Sequence, residues 1–211
     1  LSMIEEILVP RLNDKSQSVR HTAIQAAGIF LGTYKSVSVV DSSTTPTKDN
    51  SHLALFEGLL WSMWHDPSVA NRVEAIRAVP IDSAETLDHV IARIRDVKEK
   101  VRNAAVDALR LKVDPRRQDI MTQEHFREIV RSGLTERCES TNNATMTLIC
   151  TKWTKAAKFC PVELMRLMGA TMYEEECEKT LRVVLKMARV PSSTKTNSIL
   201  QELSDPEIRS L

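Results

Sequence analysis

A short spacing between an acidic residue and an arginine recurs along the chain, and it constrains the fold more than any other sequence feature. The acidic anchors are Asp14, Asp66, Asp96 and Glu136. Five and six residues further on, the sequence reads Val19-Arg20, Asn71-Arg72, Val101-Arg102 and Thr141-Asn142. The anchors lie 52, 30 and 40 residues apart, so the unit varies in length while its centre stays constant. Such internal similarity is typical of repeat architectures.

Each anchor separates two amphipathic segments with helical periodicity. Before Asp96, apolar residues spaced by three and four positions are Leu87, Val90, Ile91 and Ile94. After it, the same spacing resumes at Val101, Ala104, Ala105, Ala108 and Leu109. Side chains with this spacing share one face of a helix. A helix of two or three turns does not bury such a face alone, so each helix pair must stack on a similar pair.

The second helices keep a common register. One apolar column is Ile24, Ile76, Val106 and Met146, and the next is Ala27, Val79, Leu109 and Ile149. Small residues form two further columns, at Ala23, Ala75 and Ala105 and at Ala26, Ala78 and Ala108, where helix backbones can approach closely. These columns predict an all-α fold, a HEAT-repeat α-solenoid in which antiparallel helix pairs stack in a right-handed superhelix. Because the first residues already follow a helical pattern, we expect a fragment of a longer array.

Turn signals and breaks in periodicity predict the boundaries of the repeats. HEAT repeats are expected at 1–33, 52–81, 83–115 and 122–158, with a divergent helical repeat at 161–189. Residues 34–51 are rich in serine and threonine and show no helical stripe, which predicts a loop or disordered insert. Residues 190–211 are expected to form a linker and possible terminal helix.

The recurring acid and arginine predict a ladder of contacts that stacks the repeats. Its members are Asp14, Arg20, Asp66, Arg72, Asp96, Arg102 and Glu136. Carboxylate and guanidinium can pair within one repeat or with the next, and bidentate geometry would fix the stacking angle. Asn142 replaces the arginine in the last unit, so we expect looser stacking there or a different contact.

Composition excludes several classes of protein. The 211 residues carry a formal charge of +1, so the total charge selects no partner. No apolar run reaches the length of about eighteen residues that a membrane span needs. The four cysteines and five histidines lack metal-ligand spacing, and no GxxxxGK[ST] phosphate loop is present. We therefore predict a protein that is not an enzyme, with no cofactor, metal, membrane partner or small-molecule substrate.

Basic residues nevertheless gather locally. Between Arg93 and Arg117, nine basic residues stand against four acidic ones, and three lysines follow later at a spacing of three. Inside a solenoid, such residues would contact DNA phosphates without reading sequence, whereas on a solvated helix face they would have no ligand. The candidates for DNA contact are Lys98, Lys100, Arg110, Lys112, Arg116, Arg117, Lys152, Lys155 and Lys158.

Three segments within Ser83–Arg189 carry a recognisable order of motifs. They read TLDHVIARIRDVKEKVRNAAVDAL, REIVRSGLTERCES and VELMRLMGATMYEEECEKTLRVVL. Two groups of residues sit at matching separations, Arg95-Asp96-Val97 with Val101-Arg102, and Gly133-Leu134-Thr135-Glu136-Arg137. With this order the chain resembles the HEAT-repeat subunit of condensin, subunit 3 of the CAP-G type. It departs from that family at Thr141-Asn142, where a valine-arginine pair is usual.

The resemblance implies a non-catalytic subunit of a hetero-oligomeric SMC complex in which other subunits hydrolyse ATP. It implies binding to the kleisin subunit of condensin, of the CAP-H type, and sequence-independent gripping of double-stranded DNA in mitotic chromosome condensation. It also implies a location in the nucleus and on chromosomes, and in the cytoplasm for part of the cell cycle.

Two other interpretations stay open. A HEAT-repeat scaffold for proteins, such as a transport receptor or phosphatase scaffold, would show an acidic or apolar concave surface and no direct DNA binding. A cohesin-associated subunit would share the chromosomal role, and the kleisin that co-purifies with it would separate it from condensin.

Overall fold

The structure is a computed structural model that describes residues 2–38, 52–135 and 138–188. Every regular element in these residues is a helix, and no strand occurs among them. Consecutive helices pack on each other as hairpins. The prediction of an all-α helical-repeat fold is confirmed.

The chain divides into two compact units, unit 1 at 1–108 and unit 2 at 109–211. Unit 1 contains α1 (Ser2–Leu12), α2 (Gln17–Ser38), α3 (Leu53–His65), α4 (Val69–Ala78), α5 (Ala84–Ala92) with a 3-10 turn (Arg93–Arg95), and α6 (Glu99–Lys112), which crosses the boundary. Unit 2 contains α7 (Gln123–Gly133), α8 (Glu139–Leu148), a π-helical turn (Ile149–Trp153), α9 (Thr154–Ala156), α10 (Pro161–Met168) and α11 (Glu174–Ala188).

Short polar residues mark the starts of two helices in unit 1. The Ser68 hydroxyl accepts a hydrogen bond from the Asn71 amide at the start of α4, and Ser83 accepts one from the Thr86 amide at the start of α5. These contacts satisfy backbone donors that a helix leaves open in its first turn. The helices therefore begin where the local sequence stabilises their ends.

The core of unit 1 follows the columns read from the sequence. Ile24, Ile76 and Val106 are each 0% exposed, and Ala27 and Val79 are equally buried. These residues occupy corresponding positions within or at the end of α2, α4 and α6, and α2 packs directly against α4. In unit 2, Ile149 is fully buried but Met146 is only partly so.

One glycine is required for the close packing of α2 against α4. A Cβ atom added to Gly28 would lie 2.7 Å from the Cβ of Ala78, closer than two non-bonded carbon atoms can approach. Gly32, one turn later in the same helix, has no atom within 4 Å of the corresponding position. Gly28 and the small side chain of Ala78 together set the separation of the two helices.

We expect Gly28→Ala to lower the free energy of unfolding by about 1–3 kcal/mol, because the methyl group forces the helices apart. Gly32→Ala should raise it by about 0.5–1 kcal/mol, since alanine has the higher helix propensity and meets no obstacle. Urea denaturation of both variants measures the difference. Equal effects at the two positions would contradict the close contact with Ala78.

The arginines of unit 1 contact two successive turns at once. Arg20 donates from Nη1 to the backbone oxygen of Asp14 at 2.8 Å, within its own repeat. The same guanidinium donates from Nε and Nη2 to the two carboxylate oxygens of Asp66 in the next repeat, at 2.7 and 3.1 Å. The ion pair with Asp66 is bidentate and buried.

Arg72 repeats this geometry one layer further on. Its Nη1 donates to the backbone oxygen of Asp66 at 2.9 Å, and its Nη2 to Asp96 Oδ1 at 3.3 Å. Arg102 donates from Nη1 to the backbone oxygen of Asp96 at 2.9 Å. Arg20 and Arg72 thus contact a carboxylate in the next repeat, whereas within their own repeat they contact a backbone oxygen. Glu136, the last acid of the sequence-derived ladder, lies outside the described residues.

The aspartates also shape the turns in which they stand. Asp14, Asp66 and Asp96 each accept a hydrogen bond through Oδ1 from the amide two residues ahead, at 2.7, 2.8 and 2.8 Å. The short side chain of aspartate is suited to this turn, because its carboxylate oxygen can reach the backbone amide two residues further on. The same side chain of Asp66 or Asp96 then receives the arginine of the preceding repeat.

Asp66 is the most completely enclosed of these acids, at 1% exposed. Desolvation alone would raise the pKa of its carboxyl, but hydrogen bonds from Arg20, the Ser68 amide and Asn71 outweigh that penalty and hold the pKa below its ordinary value. The Asn71 amide group donates to Asp66 at 3.1 Å and to the backbone oxygen of Gln17 at 3.3 Å. The carboxylate is therefore ionised and fully hydrogen-bonded between two repeats.

We expect Asp66→Asn to lower the free energy of unfolding by about 3 kcal/mol, because it leaves the buried guanidinium of Arg20 without its counter-charge. Asp14→Asn is the matched control and should cost less than about 1 kcal/mol, since only the backbone oxygen of Asp14 contacts Arg20. Chemical denaturation at neutral pH measures both.

The same carboxyl should produce a pH dependence of stability. Its folded-state pKa lies below the unfolded value of about 3.9, so its contribution is fully present above that pH and is lost as pH falls through the folded-state pKa. Asp66→Asn should flatten the acid limb of the stability profile. An acid limb identical to that of the parent chain would show that Asp66 is not the responsible group.

Unit 2 uses different contacts to hold its helices together. Phe126 of α7 packs against Trp153 with ring centroids 4.8 Å apart, and Trp153 is 1% exposed. The Tyr173 hydroxyl donates to Glu124 Oε2 at 2.7 Å, which connects the start of α11 to the start of α7. Asn142, at the position of the ladder arginine, donates to the backbone oxygen of Leu134 at 2.8 Å. A shorter side chain thus keeps one contact to the preceding turn.

One expectation needs correction. Helix α2 continues to Ser38, so residues 34–38 are helical and do not belong to a loop as the missing apolar stripe suggested. The tryptophans differ in burial: Trp153 is 1% exposed, whereas Trp61 is 48% exposed and its ring centroid lies 5.6 Å from that of His65. The remainder of the expected insert and the segment 190–211 lie outside the described residues.

Candidate nucleic-acid interface

Two of the nine basic candidates belong to unit 1. Lys98 and Lys100 are exposed at the turn before α6 and in its first turn. Lys100 lines a groove of about 740 Å³ that runs over α2, α4 and α6. The other charged groups along this groove are Glu74, Arg77 and Asp107. Two acids therefore balance two bases, and the groove has little attraction for a polyanion.

The adjacent arginines of unit 2 are held by neighbouring carboxylates. Arg116 donates to both oxygens of Asp114, at 3.2 and 3.1 Å, and Arg117 donates to both oxygens of Asp119, at 3.3 and 2.5 Å. These hydrogen bonds raise the pKa of both arginines and lower that of both aspartates. Asp119 lies just beyond the segment in which the basic excess was counted, so the local field is weaker than the sequence suggested.

The end of α6 carries two further candidates. Arg110 is half-buried, and Lys112 is exposed at the last position of the helix. Desolvation by the surrounding protein lowers the pKa of Lys112 to about 8. The ammonium is still mostly protonated at neutral pH.

The three later lysines do not occupy one regular helix face. Lys152 lies in the π-helical turn, Lys155 in the short helix α9, and Lys158 just beyond its end. A spacing of three would place the three lysines on one face if the helix were α-helical throughout. The wider π turn changes that period. Lys155 and Lys158 are exposed. Lys152 is half-buried, and its positive charge contributes to lowering the pKa of Asp114.

Part of the basic set meets at a pocket of unit 2 with a volume of about 450 Å³. Its lining consists of Arg116, Gln118, Ala156, Ala157, Lys158, Glu163, Arg166 and Leu167. The pocket brings together Arg116 and Lys158, which are 42 positions apart in sequence. Arg166 was missed by the sequence reasoning, because α10 must fold back before it reaches the other two.

The backbone at this pocket departs from regular helix. Lys158 and Phe159 both have positive φ angles, 51° and 56°, in the left-handed region that favours glycine. Side chains with a Cβ are strained there by roughly 1–2 kcal/mol per residue. The strain is local to the end of α9 and is sustained by the hydrogen bond from the Phe159 amide to the Thr154 oxygen at 2.8 Å.

We expect Lys158→Gly to raise the free energy of unfolding by about 0.5–1 kcal/mol, because glycine adopts this φ without strain. The same substitution three residues earlier, Lys155→Gly, should lower it by about 1 kcal/mol, since Lys155 lies inside a helix. Thermal unfolding followed by circular dichroism measures both shifts. Destabilisation by both substitutions would contradict the strained conformation of Lys158.

Other kinds of site are not found in the part of the chain that the structure describes. No group of three or more His, Cys, Asp or Glu side chains there is arranged to hold a metal ion. None of the helices in the described ranges is both long enough and apolar enough to cross a bilayer.

The structure resembles a chain in the crystal structure of the condensin Cnd3-Cnd2 subcomplex from S. pombe. The TM-score is 0.70 at 19% sequence identity, and the match covers 87% of this chain. It spans only 21% of the length of the other chain. At this level of identity the similarity supports the helical-repeat fold.

No protein-family model matches the sequence, and no curated protein matches it.

Proposed function

We propose that this chain is part of a non-catalytic HEAT-repeat subunit of a condensin complex, which binds the kleisin subunit and grips double-stranded DNA without reading its sequence. The observation that carries the proposal is the structural similarity to the condensin Cnd3-Cnd2 subcomplex over 87% of the chain. ATP hydrolysis is assigned to other subunits of the SMC complex. Action in mitotic chromosome condensation, on chromosomes in the nucleus and with a cytoplasmic phase, belongs to the same proposal.

The exposed lysines of unit 2 support the DNA-binding part of this proposal. Lys155 and Lys158 are exposed, and Lys158 has no carboxylate partner among the described residues. Arg116 and Arg117 already satisfy much of their hydrogen bonding through Asp114 and Asp119. The lysines are therefore the cations most available to phosphates, and the arginines contribute less than their number suggests.

The salt dependence of DNA binding tests the role of these lysines. Substituting Lys152, Lys155 and Lys158 together by glutamine should lower the slope of log affinity against log salt by up to about 0.9 for each lost phosphate contact. Fluorescence anisotropy with a labelled duplex of about 30 base pairs, between about 50 and 200 mM salt, measures the slope. Affinity should fall equally for unrelated duplex sequences.

A variant with the same change of net charge provides the control. Lys179, Arg182 and Lys186 lie on α11, and Lys179 and Arg182 already pair with Glu175 and Glu178. Replacing these three residues by glutamine should leave the slope nearly unchanged. If both triple variants lose the same slope, only overall charge is acting, and the proposed DNA contact by the three lysines is refuted.

A second candidate function is a HEAT scaffold that binds proteins and does not contact DNA, including a cohesin-associated subunit or another adaptor. The charge-balanced groove over α2, α4 and α6 favours a polypeptide partner there. Affinity purification of the full-length protein, followed by mass spectrometry, separates the candidates. A condensin kleisin of the CAP-H type supports the proposal, a cohesin kleisin supports the cohesin-associated alternative, and the absence of any kleisin supports a general scaffold.

A further inference from the structure

The pocket of unit 2 combines a small apolar floor with a polar rim. Ala156, Ala157 and Leu167 provide the apolar surface. Gln118 and Glu163 stand among the lining residues, together with three cationic side chains. Its volume of about 450 Å³ lies within the range of pockets that bind small molecules or single side chains of a partner.

The charge on this pocket is positive but limited. Arg116, Lys158 and Arg166 line it, and Glu163 is the one acid in the lining. Arg166 pairs with Glu163 one turn earlier in α10, and Arg116 pairs with Asp114 at 3.1 Å. Lys152 lies near Asp114 and offsets its charge. The lining itself therefore carries a net charge of about +2, which matches the charge of about −2 on a phosphorylated serine or threonine.

The chain maintains an unfavourable backbone conformation at the rim of the pocket. Two consecutive residues with side chains, Lys158 and Phe159, have positive φ angles, and a π-helical turn precedes them at Ile149–Trp153. Both kinds of irregularity occur preferentially at functional sites. With regular helical geometry at these positions, the side chain of Lys158 would point in a different direction.

We infer that this pocket binds a phosphorylated serine or threonine in a linear segment of a partner protein, with a small apolar side chain of the same segment on the floor. Arg116 and Arg166 each retain guanidinium N–H groups beyond those that Asp114 and Glu163 accept from, and Lys158 adds a point charge. The neighbouring acid Glu163 and the apolar floor suit a peptide better than duplex DNA, whose closely spaced phosphates would meet that acid. Arg116 and Lys158 are shared with the proposed DNA contacts, whereas Arg166, Glu163 and the apolar floor belong to this pocket alone.

Binding of phosphopeptide pools to the intact chain tests the inference. One pool contains fluorescein-labelled peptides with a central phosphoserine flanked by alanine or valine and otherwise randomised, and the other contains the same peptides with serine. We expect the phosphorylated pool to bind at least tenfold more tightly in fluorescence anisotropy. Equal binding of the two pools, or no binding of either, would overturn the inference.

Two variants distinguish the pocket from a general effect of charge. Ala156→Leu fills the floor without changing any charge and should weaken phosphopeptide binding about tenfold while leaving duplex DNA binding intact. Arg166→Gln removes a lining cation that is not among the DNA candidates and should also weaken phosphopeptide binding. Arg182→Gln on α11 removes the same charge outside the pocket and should have no effect.

The outcomes separate this inference from the proposed function. Loss of phosphopeptide binding in Ala156→Leu with unchanged DNA affinity supports the peptide site, whether or not the three lysines bind DNA. If Ala156→Leu weakens both ligands equally and duplex DNA competes with the phosphopeptide, the pocket is a DNA phosphate site and the peptide inference is wrong. Circular dichroism melting shows whether each variant is folded, and Arg166→Gln provides an independent result if Ala156→Leu is unstable.

Discussion

The stacking of unit 1 depends on one buried aspartate that two arginines contact, one at its carboxylate and one at its backbone oxygen. Asp66 receives the bidentate guanidinium of Arg20 from the repeat before it, and its backbone oxygen receives Arg72 from its own repeat. The desolvation of a buried ion pair offsets much of the attraction between its charges. The main effect of the pair is therefore to select one stacking arrangement of the helices. A helix pair that slid by one turn would lose its counter-ion and leave a charge in the core. The apolar columns supply most of the stabilising free energy, while this contact fixes their register.

Unit 2 shows what happens when the ladder arginine is absent. Asn142 donates to the backbone oxygen of Leu134 in the preceding turn, and Phe126 packs against Trp153 in the core. The helix that contains Trp153 is irregular, with a π turn and two left-handed residues at its end. The basic pocket occurs at this irregular end. The arginine–aspartate ladder and the basic pocket are thus found in different parts of the chain.

Local periodicity made most of the fold predictable. The columns through Ile24, Ile76 and Val106 were visible because helical spacing repeats on both sides of each anchor, and these residues are fully buried. The site was less predictable, because Arg166 approaches Lys158 only through the return of α10, and pairing with Asp119 weakens Arg117. The π turn at Ile149–Trp153 was also not predicted, since such a turn has no simple spacing signal in the sequence. Long-range folding and carboxylate pairing decide which cations remain available.

Asp66 and Asp96 each contact two successive repeats of unit 1. Asp66 and Asp96 shape the turn that starts the next helix, and they also anchor an arginine from the layer before. A layer whose turn opens therefore releases its predecessor at the same moment. Under mechanical tension we therefore expect two neighbouring layers of unit 1 to open together rather than one at a time.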